Sequence, residues 1–288
     1  MIIDFHTHIF PDKVIEHREH FLTDASFALL YSSEKSRMTG YRELLEYIDE
    51  NSLYGAAAMS FPWGDADLCR MHNDYMSEAA LSGAGKIFPF GMVPSSDTGS
   101  VRKTAGEIKA SGLYGIGELA FYDKGMDENA CRFLREVFEA AIDLSLPVCI
   151  HLNEPVGHAY PGKYDPSLGS IYRIISEYRE CRVVLSHWGG GMLFYELMPE
   201  VKEALRNVWY DTAATPYLYS SSIYKASAGI IPAEKILFGT DFPLLGVKRY
   251  IDDIRKNIES GDIYKKIMGQ NALSLLKPDE GNILMPDD

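Results

Sequence analysis

Apolar residues in this chain fall into short runs, and between the runs they recur at helical spacing. The runs read as buried strands: Ile2 to Phe5, Gly55 to Ser60, Lys86 to Val93, Tyr114 to Leu119, Pro147 to Leu152, Arg182 to His187, Val208 to Asp211 and Lys235 to Asp241. The spacing predicts helices over 41–50, 65–81, 98–110, 127–144, 166–178, 192–205 and 217–228, with two more, 248–258 and 263–276, at the end. Asp127 is a candidate N-cap. Pro89 weakens the third run as a strand, because proline removes a ladder hydrogen bond. Strands alternating with helices in this rhythm predict a (β/α)8 TIM barrel. A doubly wound open sheet is the alternative, and it would gather ligands at one switch point rather than around a ring.

The polar residues that end the runs carry the chemistry. His6 and His8 form an H-x-H at the end of the first run, and residues i and i+2 of a strand point to the same side. Such a pair offers two neutral nitrogen donors to a divalent metal, but a catalytic metal takes about three protein ligands plus water. Later runs end in Glu118, His151, His187 and Asp241. Taken singly, each is an ordinary rim or turn residue. Taken together at the carboxyl ends of barrel strands, they are the expected metal ligands. Only barrel closure brings the first strand beside the last, so that His6 and His8 can meet Asp241.

Other positions read less sharply. His17, His20 and His72 lie in segments with no strand to aim them and read as surface residues. His158, in the loop after the fifth strand, reads equally as a substrate contact and as a surface residue. Trp63, Asn153, Glu154, Tyr160, Lys163, Tyr164, Trp188 and Tyr217 are expected near the mouth. Of these Trp63, Asn153 and Trp188, with His158, are the candidate substrate contacts, and loop-packing rim residues are the bland alternative. Asp211 reads as a structural hydrogen-bonding residue.

Composition narrows the class. With 288 residues and 46% hydrophobic content the chain can bury one large core. One domain is expected over 1–276, with 11–40 inserted over the barrel mouth and 277–288 as a loosely held tail. The net charge of −13 argues against unspecific binding of nucleic acid or anionic lipid, since both need a positive field. The four cysteines form no C-x-x-C pair and read as structural thiols. No apolar stretch approaches a membrane span and no leader-like segment opens the chain, so the expected location is cytoplasmic.

The ordered motifs DFHTHIF at 4–10, IGEL at 116–119, CIHLNE at 149–154, LSHWGGG at 185–191 and FGTDFP at 238–243 resemble those of the amidohydrolase superfamily of metal-dependent enzymes. The ending KKIMGQNALSLL is similar to the closing helix of its amidohydrolase-related branch, which also contains non-oxidative decarboxylases. Glu118 stands where many members have a bridging carboxylated lysine, and in this it resembles the TatD type. That likeness implies one metal on His6, His8 and Asp241, a second on His151 and His187, and Glu118 serving both. A mononuclear arrangement would use His6, His8, His151 and Asp241, leaving His187 as a proton-transfer or oxyanion-stabilising group. Zinc is the expected ion, with Mn, Co, Ni and Fe compatible with the same donors.

The leading expectation from the resemblance is a hydrolase of a small-molecule amide, ester or lactone, with a metal-activated water and Asp241 as general base. The alternative is a metal-dependent non-oxidative decarboxylase of an aromatic or unsaturated carboxylic acid, a lyase. A TatD-like nuclease is a third reading, disfavoured by the acidic charge. Barrels of this type are often homodimers.

Overall fold

The computed structural model describes residues 1–122 and 124–277 of the chain. Most of the expected tail, from residue 278 on, lies outside the described residues. Eight parallel strands form one sheet in sequence order: β1 (Ile3–His8), β2 (Gly55–Met59), β3 (Ile87–Gly91), β4 (Gly115–Leu119), β5 (Val148–Ile150), β6 (Val183–Leu185), β7 (Val208–Asp211) and β8 (Ile236–Leu237). The sheet curls on itself. Phe5 donates its N–H to the Phe238 carbonyl at 2.7 Å, Asp241 to His6 at 2.8 Å and His8 to Phe242 at 2.7 Å. The (β/α)8 barrel is therefore the observed architecture.

Strand alternation divides the core in two. Ile3, Phe5, Ala57, Met59, Phe88, Phe90, Cys149, Val184 and Leu237 fill the barrel, with Ala272 and Leu275 of the last helix beneath them. The opposite faces, such as Ala56, Ala58, Ile116 and Val183, pack with the surrounding helices. Pro89 keeps its place in β3, because its carbonyl still accepts from Tyr114 at 2.8 Å. The cost is a single missing N–H in the ladder. The four cysteines are unpaired thiols. No helix among the described residues is long and apolar enough to cross a membrane.

Two segments depart from the periodicity. The helix expected over 192–205 is confined to Pro199–Ala204, and the preceding His187–Leu197 runs in tight turns with left-handed backbone from Trp188 to Gly191. The glycines permit this path, since an L side chain rarely adopts positive φ. At Gly190 a Cβ would collide with the Asn153 backbone, so the loops after β5 and β6 touch there. The helix expected over 217–228 begins at Ser222, after a short turn at Thr215–Leu218. The 11–40 segment folds into three short helical pieces, Asp12–Glu16, Arg18–Phe21 and Ala25–Tyr31. The last of them packs Phe27 on Trp63 and Tyr31 on Phe10, at ring separations of 5.0 Å each.

Candidate metal centre and active site

Two bulges aim the ligands. Between Asp4 and Thr7 the β1–β2 register slips, so that Phe5 and His6 together oppose Ala57. A bulge of this kind turns the strand, and Ile3, Phe5, His6 and His8 all come to face inward. In β4 the same slip lies between Ile116 and Leu119, and it brings Glu118 into the barrel beside Gly117. A Cβ on Gly117 would stand 2.7 Å from the Cys149 carbonyl, so that position requires glycine.

The six expected ligands converge. Nε2 of His6 and Nε2 of His8 are 3.1 Å apart. Asp241 Oδ1 is 3.3 Å from His8 Nε2 and 3.9 Å from His6 Nε2. Glu118 faces both halves of the cluster: Oε2 is 3.7 Å from each of His6 and His8, and Oε1 is 3.3 Å from His151 Nδ1 and 3.7 Å from His187 Nε2. His187 Nε2 and His151 Nδ1 are 3.1 Å apart.

A carboxylate behind the cluster sets the tautomers. Asp211 Oδ2 is 2.8 Å from His6 Nδ1, while its Oδ1 accepts from the backbone N–H of His187 at 2.9 Å and of Ala213 at 3.0 Å. His6 therefore carries its proton on Nδ1 and turns the Nε2 lone pair inward. His187 Nδ1 faces the Ala213 carbonyl at 3.1 Å and must donate to it, which frees its Nε2 likewise. Outer partners of this kind orient metal-binding imidazoles.

The donor set fits a divalent cation. Glu118 Oε1 and His151 Nε2 are buried and lack hydrogen-bond partners. The cluster also attracts positive charge. Burial alone would lower the His6 pKa, yet Asp211, Glu118 and Asp241 outweigh it and push it up to about 10. Glu118 is held well below the usual carboxylate range: burial opposes ionisation, but His6, His151 and His187 prevail. Among the described residues four groups have ligand atoms close enough to share an ion: His6–His8–Asp241, His6–Glu118–His187 and His6–Cys149–Asp211 in this cluster, and the exposed His17–Glu19–His20 away from it. The barrel mouth thus carries a divalent-metal site.

The expected substrate contacts fare differently. Trp63 is 1% exposed, and its indole N–H donates to His72 Nδ1 at 2.9 Å, so it lies in the packing beneath the 11–40 segment rather than at the mouth. Trp188 is also buried, donating to Thr215 Oγ1 at 2.8 Å. Asn153 is buried and spends its amide on the Tyr164 backbone, at 2.6 and 3.2 Å. His158 is exposed beside Tyr160, its carbonyl taken by Lys163. His72, read as a surface residue, is fully buried and bonded to the Ile9 carbonyl at 2.8 Å; His17 and His20 are exposed.

The mouth instead presents tyrosines. Tyr122 lies 5.3 Å from the His151 ring and 5.9 Å from Tyr164, whose hydroxyl donates to the His151 carbonyl at 2.9 Å. Tyr31 comes from the 11–40 segment. Burial raises the pKa of both Tyr31 and Tyr122, and the nearby charges of Glu118 and Asp241 raise it further, so both stay protonated. Nothing in the sequence marked Tyr31. Tyr122 follows the fourth strand closely enough that its position was a usable signal.

Comparison with solved structures finds the same fold widely. A 5-carboxyvanillate decarboxylase from Sphingomonas paucimobilis superposes with a TM-score of 0.75 at 16% identity, over 96% of this chain and 98% of that one. A dihydroxybenzoic acid decarboxylase from Polaromonas sp. JS666, bound to manganese and 2-nitroresorcinol, gives 0.71 at 16% identity, over 98% and 99%. A probable 2-pyrone-4,6-dicarboxylic acid hydrolase from Acinetobacter baumannii gives 0.62 at 16% identity, over 96% and 98%. The expectation of a metal-dependent hydrolase is corrected here, because the decarboxylases superpose better than the hydrolase does. No protein of curated function matches the sequence. The sequence profile of the amidohydrolase family matches residues 3–277, nearly the whole chain, and the protein belongs to that family.

Proposed function

We propose that the protein is a metal-dependent decarboxylase that removes carbon dioxide from a small aromatic or unsaturated carboxylic acid without oxidising it. The observation that carries this reading is the make-up of the mouth, where a buried imidazole and carboxylate cluster lies among Tyr31, Tyr122 and Tyr164. Their rings offer a flat ligand an apolar seat, and the neutral hydroxyls of Tyr31 and Tyr122 suit a phenolic or carboxylate oxygen. The likeness to decarboxylases supports the same choice over water-adding chemistry.

His6, His8 and Asp241 would hold one cation, and His151 and His187 a second, with Glu118 between them. A bound divalent ion supplies positive charge that anchors an ionised acid and draws electron density from it. Histidine and carboxylate donors suit zinc and manganese alike.

Asp241 is the group we assign to proton transfer. Burial opposes its ionisation, but the hydrogen bond from His8 and the charges of His6, His8 and His187 keep its carboxyl well below the usual range. Its side chain is 18% exposed against 4% for Glu118, so it is the carboxylate that reaches the mouth. Asp241 relays the proton that the acid releases on ionising, which exchanges with solvent, to the substrate carbon that bears the carboxylate. As that carbon–carbon bond breaks, its electron pair stays on the carbon and captures the proton, and carbon dioxide leaves. His187, held by the Ala213 carbonyl and the Asp211 carboxylate, fixes the far wall against which the acid is oriented.

Manganese-loaded protein offered a panel of hydroxybenzoates and unsaturated acids is expected to release carbon dioxide. In deuterated water, one deuterium should enter the carbon that lost its carboxylate. Turnover of lactones or amides with water oxygen in the product, and no gas from any acid, overturns the proposal.

A further inference from the structure

Asp4 is a fully buried carboxylate that faces away from the metal cluster. It accepts four hydrogen bonds: from Thr240 Oγ1 at 2.6 Å, the Tyr47 hydroxyl at 2.8 Å, the Thr240 N–H at 2.9 Å and the His6 N–H at 3.3 Å. Its partners are themselves engaged. Thr240 Oγ1 accepts from the Phe242 N–H and the Tyr47 hydroxyl from the Val247 N–H, each at 3.1 Å. One carboxylate thus joins β1, the 41–50 helix and the turn that follows β8.

That turn is tied to β1 by backbone bonds at Asp241 and Phe242, and Asp4 adds side-chain bonds at Thr240. β8 keeps regular pairing only over Ile236–Leu237, whereas Asp241 lies beyond it with a left-handed φ of 69°. The chain there also runs tight against β1: a Cβ on Gly239 would stand 2.7 Å from the Cβ of His6. Since His6 and Asp241 belong to opposite ends of the sequence, the backbone bonds of Asp241 N–H to His6 and of His8 N–H to Phe242 join them, and the grip of Asp4 on Thr240 fixes the residue just before Asp241.

We propose that Asp4 is a positioning residue of the metal centre: by gripping Thr240 at both its N–H and its hydroxyl, it sets the Asp241 carboxylate against His6 and His8. How firmly the site retains its cation then depends on Asp4. The inference rests on the metal site and is independent of which reaction the site performs.

The test measures cation retention in the full-length, manganese-loaded protein by competition with a chelator, with Tm recorded alongside. Thr240→Val removes the hydroxyl with little change of shape, Thr240→Ser restores it, and Asp4→Asn removes the charge. Thr240→Val and Asp4→Asn are expected to weaken retention about 10- to 100-fold, while Thr240→Ser stays near wild type. Asn271→Ala is the control, because that amide holds the Ala233 and Ile236 carbonyls away from the turn. Wild-type retention in Thr240→Val, or an equal loss in Asn271→Ala at matched Tm, would make Asp4 mere scaffold and overturn the proposal. If Asp4→Asn does not fold, Thr240→Val compared with Thr240→Ser still separates the two outcomes.

Discussion

Asp211 stands 2.8 Å from Nδ1 of His6, and this contact determines which nitrogen of that imidazole is left for a metal. Replacing the carboxylate by an amide, in Asp211→Asn, lets an N–H2 group face Nδ1 and favours the wrong tautomer. Metal affinity is expected to fall about 10- to 100-fold, the usual range for an outer partner of a ligating histidine. Chelator competition reads the change directly. An unchanged dissociation constant would remove Asp211 from the metal site.

Glu118 turns one oxygen toward His6 and His8 and the other toward His151 and His187, so the cluster has two halves with a shared wall. At saturating metal the wild-type protein is predicted to carry two ions per chain by elemental analysis. Glu118→Gln, with half the acceptor capacity and no charge, is predicted to keep one. Equal stoichiometry in the two proteins would assign Glu118 to another task.

Tyr31 and Tyr122 lie beside the cluster, and neither hydroxyl has a protein partner among the described residues. Free donors at that place are available to a substrate. Tyr31→Phe and Tyr122→Phe should each cost about 1 kcal/mol of ligand binding, on the order of fivefold, without altering metal content. Calorimetric titration of the manganese-loaded protein with 2-nitroresorcinol checks this, and wild-type affinity in both variants would place the ligand elsewhere.

His72 is a neutral imidazole locked between the Ile9 carbonyl, to which Nε2 donates, and the Trp63 N–H, which Nδ1 accepts. Burial lowers its pKa from 6.5 to about 4. The unfolded chain therefore binds a proton that the folded one refuses between those values, and stability falls as pH drops from 6.5 to 4. That interval corresponds to about 3 kcal/mol. Asp4 acts in the opposite sense, because burial raises its pKa to about 6 and the folded state protonates first as pH falls. The His72 contribution is thus read as a difference: chemical denaturation of His72→Gln should lose less stability than wild type across that window. Parallel pH profiles would show that His72 does not titrate there.

Much of this was legible in the sequence, and the rest fails for identifiable reasons. Strand ends are visible because apolar runs stop abruptly, which located His6, His8, Glu118, His151, His187 and Asp241. The bulges at Phe5–His6 and Gly117–Glu118 are not visible, since an extra residue in a strand leaves the run of apolar letters intact. Trp63 and Trp188 misled because an amphipathic side chain after a strand suits a rim or a core equally, and His72 because it sits on the buried face of the 66–82 helix; here each indole or imidazole found a buried partner. The 192–205 helix shortened because the left-handed turn at Trp188 to Gly191 leads into tight turns as far as Leu197, a path that apolar spacing cannot report, and the helix starts only at Pro199. Reaction type was not written in the ligands, which serve water activation and carboxylate binding equally well.

The most direct measurement is anomalous scattering from crystals of the manganese-loaded protein. The predicted result is a peak within coordination distance of His6 Nε2, His8 Nε2 and an Asp241 oxygen. A peak confined to the exposed His17–Glu19–His20 group, whose ligand atoms are also close enough to share an ion, with none between His6 and Asp241, would contradict it.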